Sequence, residues 1–126
     1  MTPAVLVMAK APVAGEVKTR LGADVGMAAA AELAAASVLD TLEVCGAVFD
    51  DCHAALAGDL DRAVGCEALR AALSTWTVHP QRGAGLAARL ANAHADVARA
   101  AGAPVVQIGT DTPHLAERHL RAVADL

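Results

Sequence analysis

Residues 4–9 read A-V-L-V-M-A and run directly into K-A-P-V-A-G-E-V-K-T-R-L-G, Lys10 to Gly22. A six-residue apolar run after Pro3 is the pattern of a strand covered on both faces, as in a parallel sheet. Pro12, Gly15 and Gly22 then break any continuing periodicity. A buried strand followed by a glycine- and lysine-bearing loop predicts an α/β fold with its first functional loop at Lys10–Gly22.

Working outward, the same alternation recurs. A long helical pattern runs from Met27 to Cys45, with Ala31, Ala34, Val38, Leu42 and Cys45 on one side and Glu32, Asp40 and Glu43 on the other. His53–Ala57 is a second, weaker strand, and Leu60–Leu73 a helix interrupted at Gly65. Thr75–His79 is a third strand, ended by Pro80. Leu86, Leu90, Val97 and Ala101 mark the next helical face. Val105–Gly109 is a fourth strand, and residues from about Ala116 to Leu126 form a last helix with Leu120 and Val123 inward. Four βα units imply a parallel sheet with right-handed crossovers and helices on both faces. The expectation is a single Rossmann-like three-layer αβα domain over residues 1–126. Ligands of such sheets bind outside the carboxyl ends of the strands, near a topological switch point. That selects the loops after Ala9, Ala57, His79 and Gly109.

Composition narrows the partners. A chain of 126 residues, 56% of them hydrophobic, with a formal net charge of −4 is globular and poorly suited to nucleic acid or anionic membrane. With no Tyr, one Phe and one Trp, it lacks aromatic platforms for stacking single strands. No apolar run reaches the roughly 20 residues of a membrane span, and no basic leader precedes the first strand. Cys45, Cys52 and Cys66 are an odd set without CxxC spacing, which suits a reducing, cytoplasmic setting; a zinc site from Cys52, His53 and Cys66 is a minor alternative.

The basic residues are unevenly used. The only two lysines, Lys10 and Lys18, share one short segment with Arg20. Gly15 permits close backbone approach, Thr19 adds a hydroxyl, and Lys18 and Arg20 supply full charges for a diphosphate. Val17 before Lys18 excludes a P-loop, and no GxGxxG fingerprint is present. In G-T-D-T-P-H-L, Gly109–Leu115, Asp111 follows the fourth strand. A lone carboxylate there can hold Mg²⁺ or Mn²⁺ while diphosphate oxygens and water complete the shell; it can equally cap the last helix, with Pro113 early in it. In H-P-Q-R-G-A-G-L, His79–Leu86, Gln81 can read a base edge and Gly83 permits close approach. His53 and His94 read as structural.

At these three segments the chain resembles the bacterial DUF2064 group of nucleotide-diphospho-sugar, GT-A-type glycosyltransferases. The resemblance rests on A-K-x-P-x-x-G-x-x-K-T-R-L (Ala9–Leu21), a counterpart of P-Q-G-x-G-x-L-x-x-R (Pro80–Arg89, with Arg82 where Gly is usual) and G-[ST]-D-x-P-x-L (Gly109–Leu115). It implies a GT-A fold and a nucleotide-sugar donor held by Ala9, Lys10, Pro12, Gly15, Lys18, Thr19 and Arg20, with Gln81 and Gly83 from the second segment and Asp111 at the metal. The family continues into strands bearing a D-G-G-Y-type motif, so this chain is expected to lack the acceptor side, to expose Val105–Gly109 as an edge strand open to self-association, and to turn over poorly. Two alternatives stay open: a guanylyltransferase-like nucleotidyltransferase releasing pyrophosphate, and a non-catalytic nucleotide-binding fragment.

Overall fold

The structure, a computed structural model, describes residues 3–110 and 116–125. Four strands form one parallel sheet in the order β3-β2-β1-β4: β1 (Ala4–Lys10), β2 (Cys52–Ala57), β3 (Thr77–Pro80) and β4 (Val105–Gly109). The register pairs Ala9 with Leu56 across β1 and β2, and Val7 with Ile108 across β1 and β4. The strand read at Thr75–His79 is shorter and later, because the chain is still turning out of the preceding helix at Trp76, whose N–H donates to the Leu73 oxygen.

The alternation of β1 builds two cores. Val5, Val7 and Ala9 face α2 (Met27–Val48), α3 (Cys66–Leu73) and α5 (Glu117–Ala124), meeting Val38, Leu42, Cys45, Leu69, Leu73 and Leu120. Ala4 and Leu6 face the other way, onto Ala93 and Val97 of α4 (Leu86–Ala101). Val5, Leu6 and Val7 are fully buried, each worth about 1.5–3 kcal/mol of transfer free energy. This two-sided burial is why β1 carries no alternating polar residue. All five small or apolar residues expected on the inner face of α2 are buried.

Strand order explains the helix layers. The chain leaves β1 toward β2 and then β3, with α2 and α3 on one face. It then crosses back past β1 to β4 through α4, on the opposite face. Parallel connections keep one hand, so reversing direction along the sheet moves the crossover helix to the other side. The reversal creates a switch point between the carboxyl ends of β1 and β4.

Three local expectations are corrected. Lys10–Gly22 is not all loop: Thr19–Val25 forms a short helix, α1. Its Gly22 is buried against Met27, where a Cβ would collide with the methionine side chain. Leu86 does not face the core; it is 69% exposed, because α4 packs through Ala93 and Val97 and begins beyond the sheet. Val123 is likewise 45% exposed, α5 docking through Leu120. Among the described residues no helix is long and apolar enough to cross a membrane.

Candidate functional site

The loop after β1 has a buried base and an exposed tip. Ala11, Pro12 and Val13 are buried, whereas Ala14, Gly15 and Glu16 are open to solvent. The base is tied to the sheet and beyond: the Ala11 N–H donates to the Ala57 oxygen at 2.8 Å, and the Val64 N–H to the Pro12 oxygen at 2.9 Å. The tip turns through Gly15 at φ +84°, and the Glu16 N–H closes the turn onto the Val13 oxygen at 3.0 Å. Lys10 Nζ reaches across it to the Glu16 carbonyl oxygen at 2.8 Å. That bond uses one of three ammonium donors.

Lys18 stands out in its backbone. At φ +48°, ψ +45° it is the only non-glycine residue with positive φ among the described residues. The left-handed region costs an ordinary L-residue about 1–2 kcal/mol. The conformation sits at the junction of the loop with α1.

A cavity of about 340 Å³ opens beside this loop, lined by Lys10, Glu16, Val17, Lys18, Ala34, Ser37, Val38 and Thr110. Lys10 comes from the end of β1, Glu16–Lys18 from the loop, Ala34–Val38 from α2, and Thr110 from just past β4. The cavity therefore lies at the switch point between β1 and β4. Both lysines of the chain line it, over a small-residue floor from α2. Small residues at Ala34 and Ser37 leave the volume open; larger ones would fill it. Ser37 was not among the sequence candidates, since a serine on a helix carries no distinctive signal until the helix is docked.

Of the expected nucleotide-binding residues, the structure brings Lys10 and Lys18 to this cavity together with Thr110. Ala9 and Pro12 sit behind them in the buried base. Thr19 and Arg20 are exposed on α1 and do not line the cavity. Gln81 and Gly83 lie on the loop after β3. Asp111 falls outside the described residues.

The loop after β3 is held from all sides. Gln81 Nε2 donates to the carbonyl oxygens of Ala9 and Ala55, both at 3.0 Å, and its backbone N–H to the Leu56 oxygen at 3.0 Å. The Arg82 guanidinium pairs with Asp96 at 2.6 Å, Asn92 Nδ2 donates to the Arg82 oxygen at 2.8 Å, and Arg89 Nε to the Gly83 oxygen at 3.2 Å. The hydrogen bond from Arg82, aided by the charges of Arg82, Arg99 and His79, holds the Asp96 carboxyl below the ordinary aspartate range against the opposing effect of desolvation. Gly83 turns at φ +123°, and a Cβ there would stand 2.8 Å from Ala88 Cβ and 3.0 Å from its backbone carbon.

The remaining titratable clusters are structural. His53, buried in β2, is bonded on both ring nitrogens, to Asp51 Oδ1 at 2.7 Å and to His79 Nε2 at 2.9 Å. Burial pushes the Cys45 thiol up to about 12, and burial with the nearby Asp51 and Asp50 pushes Cys52 up to about 11. Among the described residues no group of three His, Cys, Asp or Glu is placed to hold a metal ion. A one-carboxylate site completed by diphosphate oxygens and water needs no such group.

A family model described as "Uncharacterized protein conserved in bacteria (DUF2064)" matches residues 41–126. The match takes in the β3 loop and Asp111 and begins beyond the lysine-bearing loop. No curated protein matches the chain. Among solved structures, the crystal structure of a protein from Desulfovibrio desulfuricans G20, provisionally assigned as a nucleotide-diphospho-sugar transferase, superposes with a TM-score of 0.82 at 28% identity. The superposition covers 99% of this chain and 54% of that one, so this chain spans about half the length of that protein.

Proposed function

This chain belongs to the DUF2064 family, and from that premise we propose that it is the donor-binding part of a nucleotide-diphospho-sugar transferase. One observation carries the reading: the only two lysines of the chain line a single cavity at the sheet's switch point. A diphosphate brings the charge that two ammonium groups match, and Ser37 and Thr110 add hydroxyls for its oxygens or the ribose. Similarity to the Desulfovibrio protein supports the substrate class.

In this reading Lys10 and Lys18 bind the donor diphosphate and stabilise charge that develops on it as the glycosyl bond breaks. Lys10, already anchored to the Glu16 carbonyl, is held in place before the ligand arrives, so less side-chain entropy is lost on binding. α1, at seven residues, is too short for its helix end to add much, and the charged side chains carry the site. Asp111, next in sequence to Thr110, is the carboxylate we propose for Mg²⁺ or Mn²⁺, which would neutralise the leaving diphosphate. Arg20 supplies long-range positive potential rather than a contact.

The test is calorimetry of the chain with nucleoside diphosphates, their sugar conjugates and nucleoside triphosphates, with and without Mg²⁺ or Mn²⁺, followed by product analysis. Binding of diphosphates that the metal strengthens, and that Asp111→Asn makes metal-independent, is the expected result. Pyrophosphate release from a triphosphate would move the chain to the nucleotidyltransferases. No binding of any nucleotide would sink the reading.

A further inference from the structure

From sequence Gln81 is a candidate to read a base edge, and in the structure its amide is bonded to strand carbonyls. Both hydrogens of Nε2 are used, one on the Ala9 carbonyl and one on the Ala55 carbonyl. The amide orientation is thereby set, because a flip would put Oε1 against two carbonyl oxygens. The backbone N–H of the same residue takes the Leu56 oxygen. One residue thus ties the loop after β3 to both central strands at their carboxyl ends.

The Ala9 carbonyl belongs to the peptide that leads into Lys10. Holding that peptide plane sets the direction in which the chain leaves β1. The next tie along the chain, from the Ala11 N–H to the Ala57 oxygen at 2.8 Å, keeps the same two strand ends together. Lys10 lies between these two ties, and its ammonium spans the loop tip. Gln81 in turn is immobilised by its neighbours: Arg82 is paired with Asp96, and the Arg82 and Gly83 carbonyls accept from Asn92 and Arg89 of α4. Gln81 does not line the lysine cavity.

We propose that Gln81 is a positioning residue for the diphosphate loop: it fixes the Ala9–Lys10 peptide so that the lysines stand over the cavity, and it does not choose the base. The consequence for ligands rests on the nucleotide-binding reading above; the tie itself does not. A positioning role and a base-reading role separate on one measurement. Calorimetric affinities for inorganic pyrophosphate, ADP, GDP and UDP are compared between the parent chain and Gln81→Met, which keeps the length and removes both donors.

The expected result is a loss of about tenfold, what one displaced hydrogen bond is worth, for all four ligands alike, pyrophosphate included. Gln81→Glu, which sets a carboxylate against two carbonyls, loses more. Amide hydrogen exchange on the same variants reads the tie without a ligand: protection at Ala11 falls while that of α2 holds. Unchanged pyrophosphate binding with a reordered preference among the nucleotides would overturn the proposal in favour of base reading. Unchanged exchange at Ala11 would also overturn it. If the parent chain binds none of the four ligands, the functional reading fails and exchange at Ala11 alone decides the tie.

Discussion

The loops after β1 and β3 leave the same carboxyl end of one parallel sheet, and both turn through glycines with positive φ. They place their charged side chains differently. The β3 loop turns its polar groups inward: Gln81, Arg82 and the carbonyls of Arg82 and Gly83 are all bonded to the strands or to α4. The β1 loop keeps its base buried and presents two lysines to a cavity of about 340 Å³. The difference extends to the glycines. A Cβ added at Gly15 would meet nothing within 4 Å, whereas at Gly83 the space is already taken by Ala88. A loop whose polar groups are satisfied internally is a brace. The β1 loop holds charge beside a cavity, with Lys18, its one non-glycine residue of positive φ, in the lining, and it is there that the proposed binding site is put.

Four substitutions break or sharpen that contrast. The largest effect is expected at Gly83→Ala, where overpacking against Ala88 adds to an unfavourable φ of +123°. Stability should fall by about 2–4 kcal/mol, read as a shifted denaturation midpoint, with an effect at Gly15→Ala well below it. Equal losses at the two glycines would erase the distinction between brace and open tip.

Next is Lys18→Ala. Removing a charged hydrogen-bond donor from the cavity should weaken nucleotide binding by about 1.5–3 kcal/mol by calorimetry, with the circular dichroism spectrum unchanged. Retained affinity in both this variant and Lys10→Ala would show that the cavity is not the anion site.

Lys18→Gly is smaller and of opposite sign. Glycine adopts φ +48° without steric cost, so relief of strain outweighs the added chain entropy. Thermal unfolding should show a gain of up to about 1 kcal/mol while binding falls as in Lys18→Ala. A loss of stability would mean that the left-handed backbone at Lys18 stores no strain.

The smallest effect is at Arg82→Ala. Its hydrogen bond is the leading cause that holds Asp96 below the ordinary aspartate range. A depressed carboxyl contributes stability that is fully present above the unfolded value, about 3.9, and is lost as pH falls through the lower folded value. In Arg82→Ala the Asp96 titration, followed by NMR, should move up toward the ordinary value, and the acid limb of the stability profile should flatten. No movement of Asp96 would assign its depression to Arg99 and His79 instead.

The sequence by itself determined the alternation of elements, because burial on both faces leaves a signature in each strand and on each helix face that needs no partner to be read. Val5–Val7 and the inner face of α2 follow from that rule. It also singled out Lys10 and Lys18 as candidates, since a chain that otherwise uses arginine keeps both lysines in one loop. Only the tertiary structure decided which loops meet. Strand order is set by packing between distant segments, and the order β3-β2-β1-β4 brings Thr110 to Lys18 while leaving Gln81 outside the cavity. The roles of Gln81 and Arg82 were illegible for the same reason: their partners, Ala9, Ala55 and Asp96, lie 72, 26 and 14 residues away along the chain.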